Sequence, residues 1–100
     1  MNTKEEILTF LYDNKILLRD TYHITNIALF GSFSRNEQTI NSDVDLLIEI
    51  EEGTSNIYDL KQSLKQFLSK AFNRSVDLAR SKYLKSYAKE QILKDALYVN

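Results

Sequence analysis

The sequence predicts an α/β fold: a small mixed β-sheet of three to four strands with helices packed on one face. Three observations carry this. Two apolar runs of strand length, "ITNIALF" and "VDLLIEI", lie close together in the first half of the chain. A strong helical stripe begins at Ile57, and a short third strand, "SVDLA", follows it. Helical and strand periodicities therefore alternate, the pattern of a sheet layered with helices.

The elements follow in order. Residues 3 to 19 read as a helix, with Thr3 as its cap, Glu5 and Glu6 at its positive end, and Ile7, Leu8, Leu11 and Leu18 at helical spacing. Residues 24 to 30 read as a buried strand ending at Gly31, and 33 to 41 as a short helix or loop. Residues 43 to 50 form a second strand with Val44, Leu46, Ile48 and Ile50 on one face, and Gly53 marks a turn. Ser55 or Asn56 can cap the next helix, whose stripe is Ile57, Leu60, Leu64, Phe67, Leu68 and Ala71. Residues 75 to 79 give the short strand. A last helix is predicted over roughly 83 to 98, with Leu84, Ala88, Ile92, Ala96 and Val99 on one side.

One hundred residues without proline, low-complexity tract or repeat suit a single domain over 1–100. Hydrophobic residues make up 43% and charged residues 27%, a balance that suits a globular chain. Without cysteine there is no disulfide or thiolate site. A net charge of −1 with no like-charge block argues against stable nucleic-acid binding. The apolar runs are far too short to span a membrane, and the first residues lack the apolar segment of a signal peptide. The expectation is a soluble, cytoplasmic protein.

The second strand carries two carboxylates, Asp43 and Asp45, where a buried strand should carry none. Strand side chains alternate, so with Val44 and its partners in the core both aspartates point the other way. By the same parity, Val76 and Leu78 face the helices and Asp77 joins the aspartates. Residues at i and i+2 are about 6.5 to 7 Å apart at the backbone, so the repulsion needs water or cations. Hard divalent cations such as Mg²⁺ take oxygen ligands and keep positions open for phosphate oxygens. Gly31 allows close backbone approach to a ligand, Ser32 offers a hydroxyl, and the following turn offers N–H groups to an anion. Arg35, one turn on, could neutralise a polyphosphate. Each feature alone has an ordinary explanation: a turn, a solvated strand edge, a capping aspartate, a surface arginine. Their conjunction points to phosphoryl chemistry.

With these residues in place, the chain resembles the nucleotidyltransferases of the DNA polymerase β superfamily. The shared signature is Phe30, Gly31, Ser32, ten residues from Phe33 to Ser42, then Asp43, Val44, Asp45, Leu46. The spacer is similar to that of the minimal nucleotidyltransferases, the MNT proteins of prokaryotes, where Arg35 and Ser42 are also usual. The resemblance implies a polymerase-β-like fold. It implies that Gly31 and Ser32, with Arg35 and Ser42, hold the triphosphate of ATP, and that Asp43 and Asp45 bind two Mg²⁺ ions. Asp77 would complete the metal site on the nucleophile side and help deprotonate the acceptor. Minimal proteins of this kind are similar to antitoxins paired with HEPN-domain ribonuclease toxins. The implied activity is AMP transfer from ATP to a toxin tyrosine. A small hydroxylated acceptor, or a non-catalytic toxin-binding module, are the alternatives; the intact Asp43, Asp45 and Asp77 set argues against the module.

The other polar residues receive structural assignments. His23 is expected to be a surface or capping residue. Tyr12, Tyr58, Tyr83, Tyr87 and Tyr98 lie on predicted helices and are expected to pack half-buried. The scattered lysines and arginines are expected to form a solvated surface.

Overall fold

Thr3 opens the first helix as its sequence predicts: its hydroxyl accepts from the Glu6 N–H at 3.1 Å, and the Glu6 carboxylate takes the N–H of Asn2 and the hydroxyl of Thr3 in return. This is seen in a computed structural model, which describes residues 1–99. The expected single helix over 3–19 is two helices, α1 (Lys4–Asp13) and α2 (Lys15–Tyr22). They are divided at Asn14, whose amide side chain donates to the Phe10 carbonyl at 2.8 Å. An asparagine that bonds its own preceding turn competes with the helical ladder. His23 ends α2 in the left-handed region (φ 58°), and its N–H returns to the carbonyls of Arg19 and Leu18. The capping expectation for His23 is met.

The remaining elements are β1 (Ile24–Phe30), β2 (Val44–Ile50), α3 (Ile57–Phe72), β3 (Val76–Arg80), a single 3-10 turn (Ser81–Tyr83), α4 (Ser86–Asp95) and β4 (Leu97–Tyr98). Asn56 precedes α3 but gives no side-chain cap. The predicted last helix stops at Asp95, and Leu97–Tyr98 instead pair with Ala28 and Leu29 of β1 as a fourth strand. The sheet order is β3-β2-β1-β4. β1 is antiparallel to both neighbours, and β2 runs parallel to β3, so the sheet is mixed.

The core lies on one face. Ile27 and Leu29 of β1, Val44, Leu46 and Ile48 of β2, and Val76 of β3 are buried with Ile7, Leu11, Leu18, Leu64, Leu68 and Phe72 of α1, α2 and α3. Each such side chain contributes about 1.5–3 kcal/mol by leaving water. Phe10 joins the helices through Phe72 (5.2 Å, edge-on) and Phe67 (6.0 Å), and Tyr22 stacks on Phe67. Among the described residues, α4 adds no buried residue to this core, although it contacts β1. The opposite face is not bare. Ala28 and Leu47 are register partners there, and both are buried.

Two expectations about the surface fail. The five tyrosines are exposed rather than half-buried, from 46% at Tyr98 to 81% at Tyr87. Tyr83 sits on the 3-10 turn and Tyr98 on β4. Helical periodicity places a residue on a face but does not say whether another element covers that face. Arg74, just beyond α3, is no solvated arginine. Its Nη1 donates to the carbonyls of Thr39 (3.1 Å), Ile40 (3.2 Å) and Ser42 (2.9 Å). Its Nε donates to Met1 O and its Nη2 to the Asn2 side chain, while the guanidinium lies 4.9 Å from the Phe33 ring centre. One side chain thus ties the spacer before β2 to the start of α1.

Arg74→Ala should lower stability by on the order of 2 kcal/mol, the scale of charge-assisted bonds left unmade. Arg74→Lys should fall between, because an ammonium cannot reproduce the fork. Thermal melts of the three proteins check this; equal midpoints would refute the role.

Candidate active site

The spacing between Gly31 and Asp43 becomes a turn and a loop held at both ends. After β1 the chain bends at Gly31, whose φ of +76° is in the left-handed region that suits glycine. The carbonyl of Gly31 accepts from the N–H groups of Ser34 (3.1 Å) and Arg35 (3.3 Å) and from the Ser34 hydroxyl. The Ser32 carbonyl accepts from Glu37 N–H at 2.9 Å. This wraps residues 31–36 into a tight turn and leaves the Ser32 hydroxyl without a protein partner among the described residues.

Gly31 has a second reason to be glycine. A Cβ there would collide with the Asp45 Oδ2 and stand only 3.0 Å from its Cγ. The turn and the carboxylate share space that only a hydrogen can fit. The sequence suggested close approach of a ligand; the structure adds close approach of Asp45 itself.

Strand pairing gathers the carboxylates. Asp45 is the register partner of Asp77 on parallel β3 and of Phe30 on β1. Register partners on adjacent strands share a face, so Asp45 and Asp77 stand side by side opposite the core. Asp43 shares their parity just before β2. Asp45 is half-buried, whereas Asp43 and Asp77 are exposed. Burial first, then Asp77 and Asp43, push the Asp45 carboxyl up to about 6, against the opposing pull of Arg35. Glu49, of the same parity, is engaged elsewhere by Asn26 at 2.9 Å.

Ser42 is occupied within the protein, and so are two of the three guanidinium nitrogens of Arg35. Arg35 Nε donates to Glu37 at 2.8 Å and Nη1 to Asp95 at 2.7 Å. Glu37 and then Asp95 hold its guanidinium even more firmly protonated. The Ser42 hydroxyl accepts from the Thr39 N–H at 2.8 Å and so closes the spacer loop. Sequence reasoning missed Arg74 and Asp95. Neither lies near the motif in sequence, and the only signal was that both are charged residues at helix ends.

The donor set suits a hard divalent cation: carboxylate oxygens from adjacent strands, mutually repelling, beside the Gly31 turn. Among the described residues no three acidic, histidine or cysteine side chains converge closely enough to hold a metal ion, the expected set of Asp43, Asp45 and Asp77 included. Mg²⁺ ordinarily takes one or two carboxylates and leaves the rest to water and phosphate oxygens, so the arrangement fits that ion. No helix among the described residues is long and apolar enough to cross a membrane.

The model of the nucleotidyltransferase domain family matches residues 14–99. A Methanocaldococcus jannaschii protein, provisionally named a protein adenylyltransferase, is 37% identical over 99% of this chain and 100% of its own length. The protein adenylyltransferase MntA of Thermococcus cleftensis is 34% identical over 99% of this chain and 98% of its own. A chain from a crystal structure of a toxin-antitoxin with AMP-PNP superposes with a TM-score of 0.70 at 25% identity, covering 89% of this chain and 72% of that one.

Two outcomes follow from the geometry. Gly31→Ala should cost about 1–2 kcal/mol through its φ alone, and displace Asp45 besides; a melt and a nucleotide titration should both deteriorate. The raised Asp45 pKa sets a pH dependence with a definite sign. Between the ordinary carboxylate range and about 6 the folded state holds a proton that the unfolded state releases, so this residue's contribution to stability falls as pH rises through that window. In chelator, Asp45→Asn should therefore melt higher than wild type at pH 7.5, with the gap closing near pH 4. A pH-independent gap would show that the ionised carboxylate is not the destabilising group.

Proposed function

The chain belongs to the nucleotidyltransferase domain family, and from that premise we propose that it transfers AMP from ATP to a tyrosine of a HEPN-type ribonuclease toxin, acting as the antitoxin. The observation that carries the reading is the pairing of Asp45 with Asp77 across β2 and β3, next to the turn at Gly31. Relatives named protein adenylyltransferases support the reaction class, and the similar toxin-antitoxin chain solved with AMP-PNP supports an adenosine triphosphate donor and a protein partner.

In this reading the turn holds the β- and γ-phosphates with the Ser32 hydroxyl as donor, while the N–H groups of Ser34, Arg35, Asn36 and Glu37 are spent on carbonyls within the turn and hold its shape. Asp43 and Asp45 hold Mg²⁺, and Asp77 completes the second ion's site. When bound, the two ions neutralise the triphosphate and lower the acceptor's pKa. Asp77, exposed at the sheet edge, takes the proton of the incoming phenol. The phenolic oxygen forms a bond to the α-phosphorus. The bond from that phosphorus to the bridging oxygen breaks, and pyrophosphate leaves with the electron pair. A tyrosine suits an open carboxylate face because its phenol projects far from its backbone and is more acidic than an aliphatic hydroxyl, with an unperturbed pKa of about 10. Phosphate on the toxin would add negative charge where an RNA anion must bind.

The test is intact-mass spectrometry of the co-encoded partner after incubation with MgATP. Wild type should add AMP. Asp43→Asn and Asp45→Asn should reduce the rate by roughly 100-fold or more, the scale of losing a key charge stabiliser, while remaining folded by thermal melt. Asp77→Ala should keep most MgATP affinity and lose turnover. Tight binding without added mass would favour the non-catalytic module, and label on a small hydroxylated molecule would favour that class of acceptor.

A further inference from the structure

The geometry points to Asp95 as a positioning residue that aims the Arg35 guanidinium at the phosphates of the nucleotide. The inference rests on the proposed placement of a triphosphate at the Gly31 turn and assigns a residue that the motif does not contain. A guanidinium has three nitrogens in one plane. In Arg35, Nε is held by Glu37 and Nη1 by Asp95, and Nη2 has no partner among the described residues. Two carboxylates thus fix the plane and leave one edge to present to an anion. Arg35 belongs to the turn itself, its N–H donating to the Gly31 carbonyl at 3.3 Å.

The two grips are unequal. The Glu37 side chain is 61% exposed and only two residues away, a pair easily exchanged with water. The Asp95 side chain is 14% exposed and lies 60 residues away in sequence. It is also set on a fixed frame. Asp95 is the last residue of α4, and Leu97 and Tyr98, two and three residues beyond it, pair with Leu29 and Ala28, two and three residues before Gly31. The carboxylate that holds Arg35 and the turn that carries Arg35 therefore hang from the same stretch of β1. Their separation is fixed by strand pairing, which is what preorganisation of a phosphate ligand requires.

Equilibrium titration with MgATP, in the presence of thermal melts, tests this with four proteins: wild type, Arg35→Ala, Asp95→Ala and the double variant. Asp95→Ala should weaken binding about 10-fold, the scale of one charge-assisted hydrogen bond misaligned. Arg35→Ala should weaken it at least as much, and the double variant should bind no worse than Arg35→Ala, because Asp95 acts only through Arg35. Asp95→Glu, which keeps the charge, should recover part of the loss. A merely structural Asp95 would lower the melting point yet add its binding loss to that of Arg35→Ala, and that additivity would overturn the inference. Tighter binding in Asp95→Ala would also overturn it, by showing that the pair restrains Arg35 rather than aims it. If Arg35→Ala itself binds MgATP normally, the assignment of Arg35 to phosphate fails, and with it the premise. Loss in Arg35→Ala without loss in Asp95→Ala removes the positioning role alone.

Discussion

The pleat of β2 sends Val44, Leu46, Ile48 and Ile50 beneath the helices and leaves Asp45 only one side on which to stand. A shift of one residue would put the carboxylates in the core and four aliphatic side chains on the far face, so the register is strongly specified. Because β2 is flanked by antiparallel β1 and parallel β3, that one choice of side also decides the neighbours of Asp45. They are Phe30, then Gly31 at the bend, and Asp77 on the far strand. Half-burial and two nearby carboxylates raise the Asp45 pKa to about 6. The fold keeps this unfavourable charge in place because the core on the opposite face outweighs it, a pattern expected of functional sites.

The segment between the two strands has no regular structure, yet it is tied down at both ends. Arg74 holds three carbonyls of the spacer from the end of α3. Asp95 holds Arg35 from the end of α4. Loops placed in this way by a rigid scaffold are where ligand-binding groups commonly sit. The alternative, a free spacer between the glycine turn and the aspartates, would leave the phosphate donors and the carboxylates without a fixed separation.

The surface carries a different message from the core. Tyr12, Tyr58, Tyr83, Tyr87 and Tyr98 all expose much of their rings. Some are partnered by cations instead of by apolar neighbours: Lys15 lies 4.4 Å from the Tyr12 ring centre, and Arg80 lies 4.8 Å from that of Tyr83. Tyr22, the sixth, is the half-buried one, stacked on Phe67. Tyrosine is tolerated in either setting because one end is apolar and the other polar, so its type in the sequence did not distinguish them.

The sequence by itself determined the order of the main strands and helices, the side of β2 on which the core lies, and the common face of Asp43, Asp45 and Asp77. These follow from local periodicity, since a two-residue repeat assigns faces without knowledge of any partner. It also marked Gly31 and Ser32 by their place at a strand end. Only the tertiary structure decided that the first helix breaks at Asn14, that residues 97–98 close the sheet as β4, and that Ser42 closes a loop. The same holds for the ties of Arg74 to the spacer, of Asp95 to Arg35, and of Gly31 to the Asp45 carboxylate. Most of these depend on a partner between about fourteen and seventy residues away, and the others on one local side chain, Asn14 against its own helix and Ser42 against Thr39; neither kind leaves a periodic trace in the chain.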